Sequence, residues 1–108
     1  MKDLKKLLKE CHDLGELTEE FAQEASEKAR ICINLKTKDQ YIRDESLSYF
    51  HTKIVRKWHM IDPTKSPFTF INRMAHMAMI DIIRKEKRHE EKKNILITIC
   101  NEYKKKAL

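Results

Sequence analysis

Residues 66–93 read SPFTFINRMAHMAMIDIIRKEKRHEEKK. Ser66–Pro67 supplies a capping residue followed by proline at the first helical position, where a missing N–H costs nothing. After Pro67 the chain carries neither Gly nor Pro, so the pattern predicts a helix from about Phe68 to Lys93. Within it Thr69, Asn72, Arg73 and His76 fall at i, i+3, i+4 and i+7 and form one polar stripe. Around that stripe stand Phe70, Ile71, Met74, Ala75, Met77, Ala78, Met79, Ile80 and Ile82. A stripe this narrow differs from the broad polar face of an ordinary surface helix. Its apolar flanks are therefore expected to meet other protein or an unstacked base. From Arg84 onward the segment turns into a charged run, with Lys85, Lys87 and Arg88.

Upstream, IDPTKSP (61–67) interrupts the chain, because each proline disfavours helix in the residue before it. Leu47, Phe50, Ile54, Trp58 and Ile61 recur at helical offsets before that break, on a helix begun by Asp39 or Asp44, and place Trp58 in the core. Phe21, Ala25, Ala29, Cys32 and Ile33 mark an earlier helix, with Thr18 as its cap and Glu19 and Glu20 in the first turn. Leu4, Leu7, Leu8, Cys11 and Leu14 mark the first, which Gly15 ends. The tail NILITICNEYKKKAL (94–108) has strand-like Ile and Thr content. Leu96, Ile99, Cys100 and Tyr103 nevertheless keep helical spacing, and helix is the consistent choice in this chain. The expected fold is all-α, a compact bundle of three to five helices. Residues 1–108 make a single domain, with a core at 16–93 and a helical tail at 94–108.

A chain of 108 residues can bury one core unaided, and one Gly with two Pro argues against a turn-rich β fold. Cys11, Cys32 and Cys100 form no CxxC pair and are expected to be reduced, buried thiols. No apolar run approaches the roughly 18 residues that cross a bilayer, so a cytoplasmic protein with no membrane partner is expected. His12, His51, His59, His76 and His89 form no HxxxH or HExxH pair, and no Gly-rich phosphate loop is present. No catalytic residue, metal site or cofactor is expected, and the chain is not read as an enzyme. Net charge is +6, unevenly spread. Residues 1–48 hold nine Lys/Arg against eleven Asp/Glu, while residues 49–108 hold fourteen against six. A basic second half predicts a polyanionic partner bound there.

Arg73-Met74-Ala75-His76 followed by Ile80-Asp81-Ile82-Ile83-Arg84-Lys85 resembles the region 2 recognition helix of bacterial sigma factors, closest to the extracytoplasmic-function type. Phe70-Ile71 stands at the aromatic–aliphatic position, Arg73 at the basic one and Asp81 at the acidic one. Ile61-Asp62-Pro63 looks like the Phe-Asp-Pro turn before that helix, and residues 45–71 also look like late sigma factors of tailed phages. The resemblance covers about residues 41–93. It implies a transcription initiation factor that binds the clamp of core RNA polymerase and recognises a promoter −10 element, holding bases of the melted non-template strand. By position, Phe68, Phe70, Asn72, Arg73 and His76 would face that strand, and Arg84, Lys85, Lys87 and Arg88 its phosphates. Lys53, Arg56 and Lys57 would dock on polymerase.

The chain departs from the family at Leu47-Ser48-Tyr49-Phe50, where a Gln-Glu pair usually meets the clamp. Met and His also stand where housekeeping members carry tryptophan. A second helix-turn-helix domain for the −35 element does not fit after Lys93, so a stand-alone region 2 is expected. Two alternatives follow: a sigma-like module that occupies polymerase without opening DNA, and a helical protein that self-associates through its Met-rich helix and binds DNA non-specifically.

Overall fold

The pattern of caps and apolar spacings fixes where each helix starts and stops. The computed structural model describes residues 3–107, with side chains over residues 3–102. Helix α1 spans Leu4–Leu14, with the Asp3 side chain accepting from the Lys5 N–H at its start. Gly15 ends it in the left-handed region (φ 73°), donating its N–H to the Cys11 carbonyl at 2.8 Å. Helix α2 spans Glu19–Lys36, and Thr18 caps it by accepting from the Phe21 N–H at 3.3 Å. Helix α3 spans Gln40–Lys57, and of the two expected caps it is Asp39 that accepts from the Tyr41 and Ile42 N–H groups. A single 3₁₀ turn, Trp58–Met60, follows.

Helix α4 runs from Pro67 to Ala107, 41 residues without interruption. The expected stop near Lys93 is corrected: the tail is the same helix continued. The Ile and Thr content lowers helix propensity by only a few tenths of a kcal/mol per residue, and neither Gly nor Pro is present to break the helix. The expected placement of the Tyr103 side chain lies outside the described residues.

The expected all-α bundle is what forms. Phe21, Leu8, Phe50, Ile33, Ile54 and Ile71 are fully buried at its centre, each worth about 1.5–3 kcal/mol relative to exposure. Ala25 and Ala29 on α2 and Ala75 and Ala78 on α4 are also sealed, and their small size lets the helices approach closely. Trp58 is half-buried against this core with its ring edge-on to His12 at 5.4 Å. His12 Nε2 donates to the Ile61 carbonyl at 3.0 Å and ties α1 to the turn after α3. A smaller cluster of Ile42, Met79 and Ile82 extends the packing towards the other end of the bundle.

The bundle ends at Glu86, whose carboxylate accepts from the Tyr41 phenol and pushes that phenol above its ordinary pKa. From Lys87 to Glu102 every side chain is exposed. This part of α4 is an arm of about 31 Å at 1.5 Å per residue, and it makes the molecule 71 Å long but only 26 Å by 20 Å across. Cys11 is buried and Cys32 half-buried, as free thiols, but Cys100 lies exposed on the arm. That corrects the expectation of a buried thiol there: helical spacing placed Cys100 on an apolar stripe, and no body lies beneath that stripe.

Candidate nucleic-acid interface

Helix α4 buries Ile71, Met74, Ala75, Ala78, Met79 and Ile82. With 3.6 residues per turn, the opposite side carries Thr69, Arg73 and His76 as an outward ridge. Thr69 and Arg73 are exposed, and Asn72 and His76 are half-exposed. The polar stripe read from the sequence is therefore an outward surface of the bundle, and α2 and α3 flank it on either side.

On the α2 flank, Lys36 Nζ donates to His76 Nδ1 at 2.9 Å, and Cys32 Sγ lies 3.9 Å from the Asn72 carbonyl. A lone pair on Nδ1 places the proton of a neutral imidazole on Nε2, so the ring offers a donor at its free nitrogen. Lys28, Ile31, Leu35, Phe68 and Asn72 line an open groove of about 250 Å³ here. Phe68 is 47% exposed and Leu35 82%, so the groove wall is apolar and wet.

On the α3 flank, Lys53, Lys57, Phe70, Arg73 and Met77 line a second groove of about 270 Å³. Lys53 is tied to Asp81 at 3.4 Å and sits 4.7 Å from the Tyr49 ring centroid. Asp81, the acidic position of the sequence pattern, thereby pins α4 to α3. The turn Ile61–Ser66 closes the ridge at the start of α4, where Thr64 donates both its N–H and its hydroxyl to Asp62 at 2.9 and 2.7 Å. These bonds hold the Asp62 carboxyl below its ordinary pKa.

The sequence-derived residues thus distribute unevenly. Phe68, Asn72, Arg73 and His76 share the ridge and its rims, whereas Phe70 is half-buried against the core. Lys53 and Lys57 join Phe70 and Arg73 in one groove, while Arg56 is exposed and lines neither flanking groove. Arg84, eight residues beyond His76 with the half-buried Ile80 between them, and Lys87 three further on continue the ridge line. Lys85 and Arg88 are exposed but rotated off it. The sequence reading passed over Lys28 and Lys36, which add two cations to the α2 rim. Their spacing with Cys32 at i, i+4 and i+8 was the available signal, since it places all three on one side of α2.

Among the described residues no group of three or more His, Cys, Asp or Glu could hold a metal ion, and no helix is long and apolar enough to cross a membrane. No family model, curated protein or solved structure matches the chain.

Proposed function

We propose that this protein is a sigma-like region 2 module that binds core RNA polymerase and engages a promoter −10-type element as melted, non-template single strand. The observation that carries this is the outward ridge of α4, Thr69–Arg73–His76. It is flanked by two apolar grooves whose rims supply Lys28 and Lys36 on one side and Lys53 and Lys57 on the other. The Lys28 and Lys36 rim supplies cations that neutralise a phosphate backbone, while Lys53 is held by Asp81. Exposed Phe68 and Met77 offer surfaces on which an unpaired base can rest, and Arg73 with the His76 donor can reach base edges. Lys57 and Arg56, exposed at the end of α3, stand as polymerase contacts at the border of the same surface.

The test is co-purification with core RNA polymerase, followed by run-off transcription from AT-rich templates. Specific initiation supports the proposal; no polymerase binding and no transcript sinks it. A second reading, occupancy of polymerase without promoter opening, is favoured by one observation: of the two phenylalanines of α4, Phe70 is packed against the core, leaving Phe68 as the one on the ridge rim to stack. Polymerase binding without permanganate-reactive thymines in the template would select that reading.

A further inference from the structure

Past Glu86 the bundle no longer covers α4, yet the apolar side of the helix does not stop there. Leu96 follows Ala78, and Cys100 follows Ile82, by five whole turns at about 3.6 residues each. Ala78 and Ile82 are buried, so the apolar stripe of the arm continues the core-facing side of the helix. Ile95 and Ile99 widen it. Ile95, Leu96 and Ile99 are each more than half exposed, and Cys100 beside them is exposed too. A helix face of this kind is normally enclosed by other helices, as α2 and α3 enclose it within the bundle.

The charges around the stripe select what covers it. Residues 87–102 hold four Lys/Arg against three Glu, so two arms can lie together without strong repulsion. Lys92 stands on the line of the stripe one turn before Leu96, and Glu102 flanks the stripe on its far side. Reversed end for end, the arm therefore complements itself. With two arms antiparallel about a point between Ile97 and Thr98, Leu96 of each packs on Ile99 of the other. Lys92 of each then comes beside Glu102 of the other. The basic run 84–88 fixes the direction. It holds four Lys/Arg against one Glu, and a parallel pair would set two such runs side by side. Antiparallel pairing holds them about 34 Å apart along the axis at 1.5 Å per residue, well beyond a Debye length of about 8–10 Å.

We infer that the arms of two copies pair antiparallel as a short two-stranded coiled coil centred between Ile97 and Thr98. The same patch serves both copies, so the contact closes at the dimer and holds the two bundles at opposite ends. It rests on the arm alone and does not depend on the DNA-binding proposal. Sedimentation velocity on the full chain in reducing buffer, from about 1 to 200 µM to bracket the micromolar Kd of a small interface, should show monomer passing into dimer and nothing larger. Small-angle scattering of the dimer should give a maximum dimension of about 110 Å, since two molecules each 71 Å long share an arm of about 31 Å. Leu96→Asp with Ile99→Asp removes the apolar stripe and should leave the chain monomeric throughout. Lys92→Glu alone, or Glu102→Lys alone, sets like charges at both ends of the contact and should raise the dimer Kd about tenfold. An equimolar mixture of those two single variants restores both opposite-charge contacts and should dimerise about as tightly as the wild type. All four positions are exposed, so every variant should keep the urea midpoint of the dilute wild-type chain. A wild-type chain monomeric up to 200 µM, species larger than the dimer, or a dimer only about 70 Å long each overturns the inference. So does a dimer retained by the Asp variant, or a mixture that pairs no better than its components.

Discussion

Phe50 and Phe68 show how one residue type serves two purposes in this chain. Phe50 is fully buried and Phe68 is 47% exposed on the ridge rim. Phe50→Ala should cost about 3–5 kcal/mol of unfolding free energy in a urea titration, because it empties the centre of the bundle. Phe68→Ala should leave the urea midpoint unchanged and weaken binding of a single-stranded AT-rich oligonucleotide by about 1–3 kcal/mol. Equal effects on stability from both would remove Phe68 from the proposed interface. Arg84 and Lys87 are tested by their charge rather than their packing. The double change to Ala should flatten the slope of log K against log salt by about 1.4 for single-stranded DNA, which is two phosphates neutralised. An unchanged slope places both cations outside the complex.

At the scale of the helices, punctuation residues decide where elements end. Gly15 holds φ at 73° with nothing within 4 Å of an added Cβ, so Gly15→Ala meets no clash. Its cost is backbone strain alone, about 1 kcal/mol, measurable as a lower urea midpoint with an unchanged m-value. Gly15 and Thr18 were readable, and the α3 cap was narrowed to Asp39 or Asp44, because capping chemistry is local. So was the stripe on α4, since its apolar and polar positions separate cleanly at 3.6 residues per turn. The arm was less readable. NILITIC carries β-branched residues that favour strands, and spacing alone says which side of a helix is apolar, not whether a body lies under it. That is why Cys100 was expected inside and lies outside. Arg43 escaped notice for a similar reason: its guanidinium donates to the Thr37 and Asn34 carbonyls at the end of α2 at 2.8 and 3.1 Å, a bond set by the turn between helices. For the arm, the helix supports itself without tertiary packing. Amides from 88 to 107 should exchange with deuterium well before those of residues 71–82, read in dilute protein by mass spectrometry. Equal protection along the whole of α4 would mean that the arm is covered even in the monomer.

The molecule as a whole combines a small bundle with a rod. Its radius of gyration is 19.7 Å, against about 13 Å for a globular chain of this length. Small-angle scattering at low protein concentration should return a value near 20 Å; one near 13 Å would mean that the arm folds back. Charge follows the same axis, with the acidic stretch 10–27 towards one end and the basic run 84–88 towards the other. Function was the least readable level. A charge split and a polar stripe point to a polyanion, yet the grooves that flank the stripe are built by α2 and α3, far away in sequence.

One property of α4 has a mechanical meaning. The helix passes from the proposed DNA-facing ridge into the arm with no Gly, Pro or other break, so the two move as one stiff piece. A tilt of the ridge segment by about 10° would swing the tip of a 31 Å arm through about 5 Å, roughly one helical turn. Seating a ligand against Arg73 would thus be felt at Leu96 as a displacement, with α4 acting as a lever that pivots where the bundle ends at Glu86.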